Sequence, residues 1–137
     1  MGRGTELGRV RGLGSAHEGV GHWWHQRLTA GTNLALVAWL MLSLARLPAY
    51  DYAGLRAWAA SGWVAIPLLL FMASTFYHFR LGLQVVIEDY QKDERRVVAM
   101  VLLNIYVAAM VAIAAFAILK IAFAAAPVVA AAAGAVR

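Results

Sequence analysis

A histidine inside a long apolar run is the residue of this chain whose chemistry stands out most. His78 follows a stretch of apolar residues, and Gly82 and Asp89 come after it. At about 100° per residue, both positions return to within about 40° of the His78 direction, so the three residues share one helix face. Gly82 would leave space for a flat ligand beside the imidazole, and Asp89 would end that face with a carboxylate.

The depth of His78 decides which chemistry its imidazole can perform. A helix rises about 1.5 Å per residue, so Asp89 would lie roughly 16 Å from His78, about half of a ~30 Å hydrocarbon core. If Asp89 lies at the membrane interface, His78 therefore lies near the middle of the membrane. Two interpretations remain open, a neutral histidine that donates to a carbonyl of a neighbouring helix and a metal ligand. We favour the ligand, because water cannot satisfy the second ring nitrogen at that depth. Axial ligation of haem iron is the commonest such use.

The composition predicts an all-α membrane protein. Of the 137 residues, 63% are hydrophobic and 14% are charged, whereas soluble domains have roughly 25% charged residues. We expect a three-helix membrane domain over residues 22–126, with an N-terminal arm over 1–21 and a C-terminal tail over 127–137. Each apolar run reaches the roughly 20 residues that a spanning helix needs, and the three predicted spans are residues 28–47, 58–87 and 97–126.

Charge and cysteine content exclude several classes of function. The chain has no cysteine, so it can form neither a disulfide nor a thiolate metal site. Its net charge is +5, but the basic residues lie at helix ends rather than on one soluble face, so we expect contact with membrane lipid and not with nucleic acid.

The distribution of basic residues predicts the orientation in the membrane. The side that holds the N-terminus and the second loop carries Arg3, Arg9, Arg11, Arg27, Arg80, Lys92, Arg95 and Arg96. The opposite side carries Arg46, Arg56, Lys120 and Arg137. By the positive-inside rule, the N-terminus is therefore expected in the cytoplasm. Residues 1–21 lack the apolar core of a secretory signal, and Glu6 and Glu18 argue against a mitochondrial transit peptide. A bacterial inner membrane is thus expected ahead of a mitochondrial one.

Other charged and polar residues lie near the predicted cytoplasmic ends of the helices. Arg27, just before the first apolar run, could bind a cofactor carboxylate or, equally, a lipid phosphate. Arg80 lies inside the second span, where it could snorkel or meet a cofactor carboxylate. Asp89 and Tyr90 begin a charged loop expected over 88–96, whose default interpretation is a solvated charge run with an interfacial tyrosine.

Several motifs, taken in order, make the chain resemble the small hydrophobic membrane-anchor subunit of succinate dehydrogenase, respiratory complex II. They are residues 14–19, the pair His22-Trp23, residues 26–30, His78, Gly82 and the pair Asp89-Tyr90. Together with the length and the three spans, the resemblance covers most of the chain up to about Glu94.

The resemblance implies how haem b would be held. The family's axial histidine matches His78, and the haem is shared with the larger cytochrome b subunit. The family's helix-entry arginine, which contacts a haem propionate, matches Arg27. Some relatives place a histidine six residues before that arginine, where this chain has Gly21, so no propionate role is carried over to the neighbouring His22.

The resemblance also implies a quinone site and a set of partners. The family's Asp-Tyr pair at the ubiquinone site matches Asp89 and Tyr90, with the tyrosine hydroxyl donating to a quinone carbonyl. The chain would form half of a heterodimeric haem-binding bundle, and the iron–sulfur and flavoprotein subunits would complete a succinate:ubiquinone oxidoreductase. It has no dinucleotide motif, so it cannot oxidise succinate alone. The alternatives are a b-haem quinol anchor of another respiratory enzyme and a purely structural membrane scaffold.

The second axial ligand is expected from another chain. By helix rise, His17, His22 and His25 would lie roughly 15 Å or more from the level of His78, too far for direct ligation. Met41 and Met110 would fall near that level, so a haem with histidine and methionine ligands from this chain is the alternative, and it would have a raised potential.

Overall fold

The computed structural model describes residues 19–124, which form four α-helices. Helix α1 spans Gly19–Ala45, α2 spans Tyr52–Ala60, α3 spans Gly62–Tyr90 and α4 spans Asp93–Ala124. These residues contain no strand, and α1, α3 and α4 are each long and apolar enough to cross a membrane. The expected all-α fold with three membrane spans is confirmed.

The long helices extend beyond the apolar runs that predicted them. Helix α1 already begins at Gly19, α3 continues to Tyr90, and α4 begins at Asp93. Apolar length indicates what can lie in hydrocarbon, whereas helix ends are set by backbone geometry and capping, so polar residues can continue the same helix into the interface. The predicted tail over 127–137 and most of the predicted arm over 1–21 lie outside the described residues.

The region expected to begin the second span contains two helices. Asp51 caps α2, because its side chain accepts a hydrogen bond from the Gly54 N–H at 2.8 Å. Ser61 has an extended backbone (φ −67°, ψ 130°) that ends α2 and precedes α3. The Trp58 indole N–H donates to Ser43 Oγ at 2.8 Å, which connects α2 to the end of α1. The second span therefore starts after Ser61, and the start expected at 58 belongs to the separate helix α2.

Helix α3 lies between the two other long helices. It packs against α1 on one side and α4 on the other, and α1 and α4 do not pack against each other within residues 19–124. On the α4 side, the Phe79 and Tyr106 rings are 6.1 Å apart and Arg80 Nε donates to Asn104 Oδ1 at 2.6 Å. Both pairs show that α3 and α4 run antiparallel. The buried apolar side chains are Val64, Ala65, Leu81, Leu103 and Val107.

Helix α1 uses one narrow face to contact α3. Its less exposed positions recur every three or four residues, and they include His22, Gln26, Thr29, Asn33 and Leu36. This spacing places them on one stripe of a helix. The stripe is polar over its first turns, in contrast to the apolar remainder of the helix.

Candidate functional site

His78 lies in the interface between α1 and α3 and is half-buried. Its Nδ1 is 2.9 Å from Thr29 Oγ1, and its Nε2 is 3.5 Å from Gln26 Nε2. Thr29 Oγ1 also lies 2.7 Å from the main-chain oxygen of His25, one helical turn earlier. The imidazole therefore faces α1, on the opposite side of α3 from α4.

The single proton of the Thr29 hydroxyl indicates the tautomer of His78. A hydroxyl has one donor and two lone pairs, and 2.7 Å is the usual length of an O–H···O hydrogen bond. We therefore assign the proton to the 2.7 Å bond with the His25 carbonyl. Oγ1 then turns a lone pair towards His78 Nδ1, so Nδ1 must carry a proton to make the 2.9 Å contact a hydrogen bond. A neutral imidazole has one N–H, which leaves a lone pair on Nε2.

The surroundings of Nε2 fit a metal ligand. The 3.5 Å contact from Gln26 is long for a hydrogen bond, and Gln26 Oε1 is buried without a partner. A Cβ added at Gly82 would have one neighbour within 4 Å, the same Gln26 amide at 3.7 Å, so this amide borders the space beside the glycine. With Nδ1 protonated on a fixed acceptor and Nε2 unprotonated beside a weakly held amide, the imidazole has the chemistry that a metal ligand requires.

Polar atoms continue beyond His78 within the same interface. Asn33 Oδ1 follows one turn later on α1, and Ser74 Oγ and Thr75 Oγ1 precede His78 on α3. All three atoms are buried without a hydrogen-bond partner. The contact between α1 and α3 is therefore polar along several turns, and side chains of these types commonly form hydrogen bonds between membrane helices.

The histidines near the start of α1 lie closer to His78 than expected. His25 Nδ1 is 3.0 Å from the Tyr77 hydroxyl, and His22 Nε2 is 3.2 Å from a main-chain oxygen of α3. Since Thr29 contacts His78 and lies four residues after His25, the level of His25 is only about 6 Å from that of His78 along α1. The expected separation of roughly 15 Å was wrong because it assumed where the apolar runs begin rather than how α1 and α3 align.

The methionine alternative is weakened by the same alignment. From Thr29 to Met41, helix α1 rises about 18 Å, so Met41 is far from the level of His78. Met110 lies on α4, whereas the His78 ring faces α1. The expectation that Met41 lies near His78 was therefore wrong, and Met110 lies on the opposite side of α3.

Arg27 lies within α1, and its side chain is exposed. Its guanidinium carbon is 5.3 Å from the centroid of the Trp23 ring, a cation–π contact. Gln26 and Thr29, not Arg27, contact His78. The structure does not bring Arg27 and His78 together within this chain, so the propionate role stays a prediction.

Asp89 and Tyr90 are the last two residues of α3, and both are exposed. Only residues 91–92 separate them from α4, whose first residue Asp93 has a left-handed backbone with φ 54°. A cleft of about 500 Å³ is lined by residues 90–95. The expected charged loop is thus a tight turn between two helices, and Asp89 and Tyr90 lie more than two turns past His78 at the end of the same helix.

Two residues that contact His78 received no role from the sequence alone. Gln26 and Thr29 were part of a family motif, but nothing assigned them a contact. A signal was present, since His22, Gln26, Thr29 and Asn33 recur at helical spacing in a helix that is otherwise apolar. A polar stripe of this kind indicates a polar partner helix.

The fold and the site define a helical membrane protein with a half-buried histidine between two of its three candidate spans. Residues 1–119 match the family described as succinate dehydrogenase/fumarate reductase transmembrane subunit, and the chain belongs to this family. The resemblance seen in the sequence motifs is confirmed.

Two relatives illustrate the similarity. The succinate dehydrogenase hydrophobic membrane anchor subunit of Paracoccus denitrificans is 30% identical over 111 residues, which cover 81% of this chain and 86% of that protein. The protein of the same name from Rickettsia bellii (strain RML369-C) is 34% identical over 87 residues, which cover 63% of this chain and 69% of that protein. No solved structure matches the chain significantly.

Proposed function

We propose that this chain is the hydrophobic membrane anchor of a bacterial succinate dehydrogenase and that His78 binds the iron of haem b through Nε2. The names of the relatives from P. denitrificans and R. bellii support the anchor role. The observation that carries the haem assignment is the hydrogen bonding of His78. Its Nδ1 is held by Thr29 at 2.9 Å, which leaves Nε2 unprotonated.

Haem b, when bound, supplies a one-electron redox centre inside the membrane. This chain contributes the imidazole of His78 and, at the edge of the bundle, the guanidinium of Arg27 for a propionate. Arg27 is exposed and stacks on Trp23, so its donors point away from the fold and remain available to a ligand. A second ligand to the haem would come from the larger cytochrome b subunit, which would pair with this chain to complete the haem-binding bundle.

Tyr90 and Asp89 form part of the ubiquinone site, where electrons arrive from the iron–sulfur subunit. A tyrosine hydroxyl that donates to a quinone oxygen stabilises the negative charge that develops during reduction. Asp89 lies beside it at the end of α3, where an exposed carboxylate can pass protons from cytoplasmic water. With the flavoprotein subunit, the complex acts as a succinate:ubiquinone oxidoreductase, and the present chain is not itself catalytic for succinate oxidation.

A structural scaffold is the second candidate. One observation favours it: both ring nitrogens of His78 have a polar neighbour inside the chain, Thr29 at 2.9 Å and Gln26 at 3.5 Å. In that case His78 would connect α1 to α3 and hold no cofactor. A quinol anchor of another respiratory enzyme differs from the main proposal in its partners, not in the chemistry of His78.

The test is the reduced absorption spectrum of the purified native complex, with His78→Ala compared against His25→Ala. His25 also contacts α3 through its ring, but its side chain has no role in the proposed ligation. We expect the alanine at 78 to remove haem or make it high-spin and the alanine at 25 to keep a wild-type spectrum. A wild-type haem spectrum in His78→Ala would refute the ligand assignment. Absence of flavin and iron–sulfur subunits from the complex would refute the succinate dehydrogenase assignment.

A further inference from the structure

One hydroxyl connects the backbone of α1 to the ring of His78. Thr29 Oγ1 donates to the main-chain oxygen of His25 at 2.7 Å and accepts from His78 Nδ1 at 2.9 Å. No other atom of residues 19–124 makes a hydrogen bond to Nδ1. The orientation of the imidazole relative to α1 therefore depends on this threonine.

We infer that Thr29 is the positioning residue of the haem ligand, setting both the ring plane of His78 and the electron density on its Nε2. The inference rests on the haem ligation proposed above. A hydrogen-bond acceptor on the second nitrogen of a ligating histidine fixes its tautomer and orientation and raises its basicity. Thr29 acts only through His78 and contacts neither the iron nor the quinone.

The threonine is suited to this role because it is itself held in place. Its hydroxyl bonds the carbonyl four residues earlier and lies 3.2 Å from the carbonyl three residues earlier. A β-branched side chain has few rotamers in a helix, and the bond to the preceding turn selects one of them. The lone pair that faces Nδ1 therefore keeps a fixed direction, so the ring cannot rotate without losing its hydrogen bond.

Removing the hydroxyl should change the redox properties of the haem and not only its amount. Without an acceptor at Nδ1, the imidazole donates less electron density, which disfavours the oxidised iron and raises the midpoint potential. Loss of such a supporting partner typically weakens metal binding by roughly 10–100-fold. If the oxidised form alone weakened by about tenfold, the potential of this one-electron couple would rise by about 59 mV.

Thr32 provides a matched control on the same helix. Its hydroxyl bonds the main-chain oxygen of Leu28 at 2.9 Å, the same four-residue pattern, but it is exposed and makes no contact with His78. Valine at either position removes one hydroxyl and one such bond and keeps the branched shape. A difference between Thr29→Val and Thr32→Val therefore reports the contact with the histidine.

The experiment compares the whole native complex carrying Thr29→Val, Thr29→Ser or Thr32→Val. For each we would measure the midpoint potential, the magnetic resonance spectrum of the oxidised haem and the haem content. We expect a raised potential and altered g-values in Thr29→Val, whereas Thr29→Ser, which keeps the hydroxyl, and Thr32→Val should match the wild type. A purely packing role would lower the haem content without changing the potential of the haem that remains.

Equal potentials and g-values in Thr29→Val and Thr32→Val would overturn the inference. If the complex carrying Thr29→Val does not assemble, Thr29→Ser is compared with Thr29→Ala instead. Both variants lack the γ-methyl group of threonine, and only serine retains a hydroxyl that can accept a hydrogen bond from His78. Equal spectra and potentials in those two variants would overturn it as well. Failure of the proposed function is recognised separately, by a wild-type haem spectrum in His78→Ala.

Discussion

Phenylalanine at position 90 removes a single hydroxyl from the end of α3. Tyr90 is the last residue of the helix, and 79% of its surface is exposed in this chain. Substitutions at such surface positions usually change the free energy of unfolding by less than about 0.5 kcal/mol. A larger effect of Tyr90→Phe on quinone reduction would therefore arise from the ligand and not from the fold.

The size of the effect follows from the hydrogen bond that the quinone would lose. Leaving a buried acceptor without its donor costs about 1–3 kcal/mol. At about 1.36 kcal/mol per factor of ten, kcat/KM for ubiquinone should fall by roughly fivefold to 150-fold. Haem content should not change, because Tyr90 lies more than two helical turns from His78.

Two electron-acceptor assays on the same purified complex measure this prediction. Succinate oxidation by an artificial acceptor that takes electrons before the membrane should stay at the wild-type rate, while ubiquinone reduction should be lost in part or almost completely. Tyr52→Phe is the control, since Tyr52 has a similar exposure, 78%, at the opposite end of the bundle. Wild-type ubiquinone reduction in Tyr90→Phe would refute the quinone role and leave Tyr90 as an interfacial anchor.

Three further contacts can be tested by substitution. Arg27→Ala should keep the haem and change its midpoint potential in a redox titration, because a charge-assisted hydrogen bond worth about 1.5–3 kcal/mol would be lost; an unchanged potential would favour lipid phosphate as its ligand. Asn104→Leu removes the 2.6 Å acceptor of Arg80, and a double-mutant cycle with Arg80→Met should give a coupling of about 0.6 kcal/mol and no more than about 1.7 kcal/mol, the average and the maximum found for hydrogen bonds between membrane helices. Ser43→Ala removes the 2.8 Å acceptor of the Trp58 indole, so the stability should fall by about 0.5–1.5 kcal/mol and amide exchange in α2 should become faster; unchanged exchange would contradict the connection.

The membrane spans could be predicted from the sequence because hydrocarbon imposes a minimum apolar length on any helix that crosses it. The same rule says little about helix ends. Ser61 separates α2 from α3 through its backbone conformation, which apolar content does not reveal. For the same reason the charged residues after His78 were expected to form a longer loop than the two-residue turn that joins α3 to α4.

The histidine at the centre of the candidate site could be predicted from the sequence, but the residues that contact it could not. His78 could be singled out because an ionisable residue in an apolar run is costly. Its contacts with Gln26 and Thr29 depend on how far α1 is shifted along α3, and nothing in the apolar pattern determines that alignment. The misjudged distances of His25 and Met41 have the same origin.

Helix α3 lies between two helices that do not pack against each other, and this arrangement affects how readily an unassembled copy is degraded in the cell. Helix α1 contacts α3 through one stripe, and two of the polar side chains in that stripe, Gln26 and Asn33, have a buried oxygen without a hydrogen-bond partner. If the chain binds haem with a companion subunit as proposed, the contact between α1 and α3 could open within the bilayer in a newly inserted copy that lacks both. We therefore expect membrane proteases to remove unassembled copies, so that the abundance of this chain follows the supply of haem and of the other subunits rather than its own rate of synthesis.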